Sequence, residues 1–221
     1  MPLDRSRLGL AFSFLFTAFF TAVFLAVVAS GTAHAQTDVA ISLYGTFNRE
    51  TNYNIGLEHQ QAADAAGGLF ELRHISNPFV GYEATYSFNR ANQVYTYTGP
   101  TPVGSGQPGG ALASTPVSAN AHEITGDWVF SFPTGRVRPF ALVGAGLLIT
   151  EPVSGQYQIT TSSEPVYVYG VGLDWKLVPH FGLRLQYRGN IYKAPNVTTE
   201  YGSNGAYTHT AEPMIGAYFR F

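Results

Sequence analysis

Residues 167–177 read YVYGVGLDWKL, a stretch in which apolar side chains occupy every second position. One set of alternating positions holds Tyr167, Tyr169, Val171, Leu173, Trp175 and Leu177. The other set includes Gly170, Gly172, Asp174 and Lys176. Successive side chains of a β-strand point to opposite sides, whereas an α-helix repeats every ~3.6 residues. The segment therefore predicts a strand that separates an apolar environment from a polar one.

The same repeat of two residues recurs along most of the chain. It is found in Val39–Phe47, Phe70–Arg73, Tyr82–Phe88, Glu123–Phe132, Leu183–Ile191 and Met214–Phe221. Val137–Ile149 is apolar on both faces and is predicted as a strand whose faces are not assigned. Together these segments predict an all-β fold of about eight strands, an even number that bacterial barrels also have.

The connections between the predicted strands alternate in length. Three are tight turns with Pro or Gly, at Ser76–Pro78, Pro133–Arg136 and Val178–His180. The other four are long and polar, at residues 49–67, 89–120, 151–164 and 194–205. In the second of these, Tyr95 and Tyr97 are expected to extend the preceding strand beyond the membrane. This alternation places all tight turns at one end of the strands. Outer-membrane barrels have this pattern, with short periplasmic turns and long outer loops.

Residues 1–35 have the pattern of a secretory signal peptide. Arg5 and Arg7 form a positive start, Leu8–Ser30 carries no charge, and Ala33-His34-Ala35 is a small-x-small cleavage site. The alternative is a retained transmembrane helix, because the apolar run is longer than the usual ~7–15 residues. We expect cleavage before Gln36, which leaves residues 36–221 as one barrel domain.

The composition favours a barrel with its apolar face outside. Only 12% of the residues are charged, whereas soluble domains have roughly 25%. The net charge of -2 argues against a nucleic-acid partner. The few strand charges fall on one face, and a water-exposed exterior would carry many more. We therefore predict a closed antiparallel up-and-down transmembrane β-barrel, with a soluble periplasmic lipocalin-type binder as the alternative.

Aromatic residues near both ends of the strands support a membrane-spanning barrel. At the tight-turn end they are Phe79, Phe132, Trp175, Phe181 and Phe221. Nearer the long loops they are Phe47, Phe88, Tyr167 and Tyr192, of which Tyr192 is off the apolar phase. Two aromatic belts are typical of a protein that crosses two headgroup interfaces.

Several motifs in the second half of the chain resemble those of a known family. They are Arg138-Pro139-Phe140 with Gly144-Ala145-Gly146, Gly170-Val171-Gly172-Leu173, Leu185-Gln186-Tyr187-Arg188, and Gly216–Phe221. Taken in order, they resemble the small outer-membrane β-barrels of the opacity type and the transmembrane domain of outer-membrane protein A. The resemblance implies an outer-membrane location and a role in envelope integrity or adhesion.

Charged residues on the polar face predict a network inside the barrel. Its predicted members are Glu71, Arg73, Glu83, Asp127, Asp174, Lys176, Arg184, Arg188 and Arg220, and Glu123 shares their phase. An eight-stranded barrel is just wide enough to be filled by side chains. We therefore predict a plug of ion pairs, with a narrow ion path as the alternative. Counting from the turn at Pro179 places Asp174 opposite or diagonal to Arg184 and Gln186. Glu71 and Glu83 are expected to lie close together and to need an intervening cation.

His74-Ile75-Ser76-Asn77 is the candidate for catalysis. It resembles the His-x-Ser-Asn signature of outer-membrane lipid A deacylases, in which His activates Ser as a nucleophile. However, Ser76-Asn77-Pro78 is also ordinary turn chemistry, and it lies at the tight-turn end, whereas the family's motif faces the outer leaflet. We therefore predict no enzymatic activity and keep lipid remodelling as an alternative. The other His residues lack metal-ligand spacing, so no cofactor or metal is predicted.

The pattern as a whole predicts a structural or surface-interaction protein. We expect a monomer in contact with outer-membrane lipids, whose mobile outer loops meet a surface ligand that the sequence does not identify. Ile215, Ala217, Phe219 and Phe221 alternate up to the last residue given. This resembles the C-terminal signal read by the outer-membrane assembly machinery, so Phe219 and Phe221 are predicted to be an assembly signal.

Overall fold

The computed structural model describes residues 36–53, 58–97, 113–132, 134–154, 159–197 and 205–221. The predicted signal peptide, residues 1–35, lies outside the described residues. The strands are β1 (Gln36–Asn48), β2 (Thr51–Tyr53), β3 (Glu58–Ala62), β4 (Ala65–Ile75), β5 (Val80–Tyr97), β6 (Ala113–Ser131), β7 (Val137–Ser154), β8 (Ser162–Val178), β9 (Phe181–Lys193) and β10 (Tyr207–Arg220).

Eight of the described strands close into an antiparallel barrel. Around it the order is β1, β4, β5, β6, β7, β8, β9 and β10, and β10 pairs back with β1. The remaining two, β2 and β3, form a hairpin that pairs with the outer end of β5. The predicted all-β, closed, up-and-down barrel of eight strands is therefore confirmed.

The seam between the first and last strands is paired from Asp38 with Arg220 to Asn48 with Thr210, except at Gly45 and Thr46. The register places Val39 opposite Phe219 and Tyr44 opposite Met214. Beyond the ladder, the backbone N–H of Phe221 donates to the carbonyl of Thr37 at 3.0 Å. This pairing leaves no sheet edge in the barrel wall, where each unpaired backbone group would cost several kcal/mol in lipid.

The tight turns lie together at one end, as predicted. In the turn between β4 and β5, the side-chain Oδ1 of Asn77 accepts hydrogen bonds from the backbone N–H groups of Phe79 and Val80, both at 3.0 Å. In the turn between β6 and β7, Gly135 has a φ of 84°, which a residue without a Cβ adopts at little cost. The start of β1 lies at this same end, because Gln36 pairs with Ile75.

The opposite, outer end differs from the prediction on one side of the barrel. Residues 89–120 were predicted to be one long connection with the preceding strand extended at Tyr95 and Tyr97. β5 does continue to Tyr97, but β6 already begins at Ala113. The Ser, Thr and Asn residues that suggested a loop are paired across β3, β5 and β6. Asn89 is the last residue of β5 that pairs with β4. β5 continues for eight residues beyond Asn89, which is a length of about 27 Å at ~3.4 Å per residue. We call β2, β3 and residues 90–97 and 113–120 the projecting sheet.

The exterior of the barrel is apolar and its interior is polar. Exposed side chains on the outer face include Ile41, Leu43, Trp128, Val143, Leu147, Val171, Leu185 and Ile215. The buried side chains include Asp38, Glu71, Arg184 and Arg188, which would have no partner in an apolar lumen. A lipocalin has the opposite arrangement, so the soluble-binder alternative is wrong. Among the described residues there is no helix long and apolar enough to cross a membrane.

Both aromatic belts are present, with one correction. Phe79, Phe132, Trp175, Phe181 and Phe221 are exposed at the turn end, and Phe47, Phe88, Tyr167 and Tyr207 at the outer end. The predicted belt residue Tyr192 is instead buried, and its hydroxyl is hydrogen-bonded to Thr210 at 2.8 Å. Tyr192 lies on the inward phase of β9, where a phenol needs a polar partner that the lipid does not provide.

The closed ladder predicts resistance to detergent. We expect the refolded residues 36–221 to migrate differently in SDS gels before and after boiling, because a barrel without an edge has few places to open. Full solubility without detergent and one mobility under both conditions would contradict the membrane barrel.

The ion-pair network inside the barrel

Arg184 is the centre of a charged cluster in the half of the barrel nearest the tight turns. Its guanidinium donates from Nη2 to Asp38 Oδ1 at 3.0 Å, from Nη1 to Glu71 Oε2 at 3.2 Å and from Nε to Asp174 Oδ1 at 2.7 Å. All four side chains are at most 2% exposed. One cation is thus bound by carboxylates from three other strands: β1, β4 and β8.

Arg73 extends this cluster towards β5. It donates from Nε to Glu83 Oε2 at 2.7 Å, and its Nη1 lies 3.4 Å from Asp174 Oδ2. Its guanidinium carbon lies 4.1 Å from the centre of the Phe140 ring, a cation–π geometry. Glu71 and Glu83 are therefore each paired with a different arginine, which resolves the repulsion expected between them.

Arg220 closes the cluster at the turn end. Its Nη2 donates to Asp38 Oδ2 at 3.2 Å, and its guanidinium carbon lies 4.9 Å from the Tyr218 ring centre. We call Asp38, Glu71, Arg73, Glu83, Asp174, Arg184 and Arg220 the turn-side cluster.

Strand register accounts for the most direct pairs of this cluster. Asp174 is the Cα partner of Arg184 across β8 and β9, and Arg73 is the partner of Glu83 across β4 and β5. Cross-strand partners on one face have Cβ atoms about 4.5–5.5 Å apart. The hairpin count from the turn at Pro179 left Arg184 and Gln186 as opposite or diagonal neighbours of Asp174, and the structure shows that Arg184 is the direct partner.

A second cluster lies further towards the outer end, around Arg188. The Nη2 of Arg188 is 3.5 Å from both Glu123 Oε1 and Asp127 Oδ2. The same guanidinium donates to the hydroxyls of Thr85 at 3.4 Å and Thr125 at 3.2 Å. We call Arg188, Glu123, Asp127 and Glu212 the outer-side cluster.

Lys176 does not belong to the interior network, contrary to the prediction. It lies on the polar phase of β8, but Trp175, Leu177 and Val178 around it are all exposed. The strand pairing shifts register between Lys176 and Val178, where β8 reaches the tight turn. Lys176 is therefore past the end of the interior, and its ammonium reaches water instead of a carboxylate.

The sequence analysis missed Asp38 and Glu212, which are 0% and 4% exposed. The predicted strands began at Val39 and Met214, so each residue was left just outside its strand. The alternation itself contained the signal, because Asp38 is in phase with Ala40 and Ser42. Extending each strand by two residues would have found both carboxylates.

The His74 motif is part of the barrel wall. The His74 ring is 4% exposed, its Nδ1 is hydrogen-bonded to Thr37 Oγ1 at 2.9 Å, and its centre lies 5.1 Å from that of the Tyr82 ring. Ser76 lies in the exposed turn, where its backbone N–H donates to the carbonyl of Val80 at 3.1 Å. These contacts are those of a packed histidine next to a turn serine.

A closed eight-stranded barrel with an apolar exterior, two aromatic belts and a charged interior defines a small outer-membrane β-barrel. Two solved structures share this fold. Outer membrane protein OprG from Pseudomonas aeruginosa has a TM-score of 0.56 and 10% identity, covering 87% of this chain and 98% of that chain. Neisserial surface protein A has a TM-score of 0.52 and 14% identity, covering 86% and 99%. At these identities the likeness shows the fold alone. No protein-family model matches the chain, and no curated protein matches its sequence.

Replacing Arg184 tests the turn-side cluster. We expect Arg184→Met to lower the free energy of unfolding by about 3–5 kcal/mol, because three buried carboxylates lose their common cation. The measurement is urea unfolding of the refolded barrel. Arg136→Met, in an exposed turn, is the matched control and should change the free energy by less than about 0.5 kcal/mol. Equal losses in the two variants would show that the interior ion pairs do not stabilise the barrel.

Proposed function

We propose that this protein is a non-enzymatic, monomeric outer-membrane barrel that works through its outer surface. The proposal is supported above all by the combination of a filled interior with a sheet that projects beyond the lipid-facing band. In the turn-side cluster, Arg184 and Arg73 together contact four carboxylates. A lumen occupied by paired charges offers no free path, so the outer surface is left to meet other molecules.

The projecting sheet has a surface suited to such contacts. A groove of about 500 Å³ lies at its base and is lined by residues that include Glu50, His59, Gln61, Asp64 and Thr96. The Glu50 carboxylate is paired with the imidazole of His59. The volume lies within the ~300–1,000 Å³ typical of small-ligand sites. Adhesion through this side of the molecule is the role we favour, and envelope integrity is the competing one.

Processing and assembly belong to the same proposal. Residues 1–35 would be removed as a signal peptide, and residues 36–221 would form the mature barrel in contact with outer-membrane lipids. Phe219 and Phe221 are both exposed on the lipid-facing side, with ring centres 6.2 Å apart. This position leaves both rings accessible to an assembly factor before the barrel enters the bilayer. Their role as an assembly signal stays a prediction.

The filled interior predicts poor conduction. In planar bilayers we expect at most small, infrequent openings, because the side chains of the turn-side cluster occupy the lumen. Bilayers that receive the detergent alone are the control. A large, steady conductance would favour the ion-path alternative over a surface role.

Shortening the projecting sheet tests the surface role directly. Arg90 and Asn120 are Cα partners, so residues 91–119 can be replaced by an Asn-Gly turn that suits a two-residue hairpin. The shortened barrel should keep its mobility shift on boiling, since the ladder between β4 and β5 ends at Asn89. Cells that produce it should lose attachment to monolayers of cultured epithelial cells, which cells with the full-length protein should show.

A strain without the protein provides the comparison for envelope integrity. If that strain becomes sensitive to detergent and both proteins restore resistance equally, while neither promotes attachment, the function lies in the barrel wall. That result would contradict the surface role.

A further inference from the structure

The outer-side cluster contains more negative than positive charge. Glu123, Asp127 and Glu212 are all at most 4% exposed, and Arg188 is the guanidinium that they surround. Glu212 is the Cα partner of Arg188, but the guanidinium points towards Glu123, Asp127 and the two threonines. Among the described residues, no ion pair includes Glu212. The cluster thus has two carboxylates in excess of its one cation.

The excess charge borders a small enclosed space. We call it the upper chamber, a cavity of about 30 Å³ whose lining includes Glu123, Asn190, Glu212, Thr46, Thr210 and Tyr192. Asn190 Nδ2 donates to Glu123 Oε2 at 2.9 Å. Asn190 Oδ1 has no hydrogen-bond partner among the described residues, although the side chain is only 1% exposed. One buried acceptor oxygen is therefore left without a donor beside Glu123 and Glu212.

The chamber is covered from the outer side by residues 194–197. The carbonyl of Pro195 accepts hydrogen bonds from Gln60 Nε2 at 2.6 Å and from the Tyr95 hydroxyl at 3.3 Å. Val197 is fully buried against Tyr95 and Val117. A polar space below this cover is shielded from bulk water, so solvent screens the charges of Glu123 and Glu212 weakly.

The size and chemistry of the chamber restrict which ligand can balance the negative charge of its carboxylates. A volume of about 30 Å³ holds about two water molecules and is far below the ~300 Å³ of small organic ligand sites. No His or Cys is among the lining residues, which argues against zinc. The chamber provides carboxylate, amide and hydroxyl oxygens, the ligands that calcium takes.

We propose that the upper chamber binds one divalent cation of the calcium type between Glu123 and Glu212. The ion would balance both excess charges and provide a partner for Asn190 Oδ1. No group of three His, Cys, Asp or Glu side chains in the described part of the chain is placed to hold a metal, so neutral oxygens and water must complete the coordination.

Equilibrium dialysis of the refolded barrel against radioactive calcium, at constant ionic strength, tests the proposal. We expect saturable binding of about one ion per wild-type barrel, and a higher unfolding temperature with calcium than with EGTA. Glu212→Gln keeps the shape of the side chain but removes a charge, and should weaken binding at least tenfold. Asp64→Asn, an exposed acid at the outer groove, is the matched control and should bind as the wild type does.

Three results would overturn the proposal. If the wild type binds no calcium saturably and its unfolding temperature is the same in EGTA, the two carboxylates are neutralised by a proton. Unchanged binding by Glu212→Gln would place the ion elsewhere, and loss of binding in Asp64→Asn alone would place it in the outer groove. If Glu212→Gln lacks the mobility shift of a folded barrel, Glu123→Gln takes its place, with the same tenfold loss expected.

Discussion

The guanidinium of Arg184 binds three carboxylates in the half of the barrel nearest the tight turns, and the rest of the fold depends on this contact. Arg184 lies on β9, whereas Asp38, Glu71 and Asp174 lie on β1, β4 and β8. A shift of any of these strands along its neighbour would move its carboxylate out of hydrogen-bonding range. Since a buried charge without a partner is strongly unfavourable, this single group fixes the relative heights of four strands around the seam of the barrel.

The same constraint determines the outer surface. Leu173 is opposite Leu185 and faces out, and the next pair along, Asp174 with Arg184, faces in. Because the side chains of a strand alternate, a slip of one residue would turn charges into lipid and leucines into the polar interior. The ion pairs inside and the apolar band outside therefore select one register together, although neither set of side chains contacts the other.

The sequence predicts what lies within one hairpin better than what lies across the barrel. Asp174 and Arg184 are ten residues apart, so counting from one turn was enough to predict that they are opposite or diagonal neighbours. Arg184 and Asp38 are 146 residues apart, and their contact depends on closure and on the tilt of every strand between them. The alternation also shows that Lys176 lies on the polar face of its strand. It does not show where along the barrel axis the interior ends. Similarly, the polar composition of residues 90–97 did not reveal that β3 and β6 pair with them.

The two halves of the interior differ in their balance of positive and negative side chains, and the need to fill the lumen does not explain this difference. In the turn-side cluster, four carboxylates meet three arginines, and a fourth arginine, Arg138, lies nearby with its Nη2 3.5 Å from Gln36 Oε1. In the outer-side cluster, Arg188 alone faces three carboxylates. A neutral side chain of similar size at position 212 would fill the lumen equally well and would leave Arg188 paired with Glu123 and Asp127. The charge of Glu212 is therefore not needed to fill the lumen or to pair Arg188, and it is the charge that the proposed cation in the upper chamber would balance.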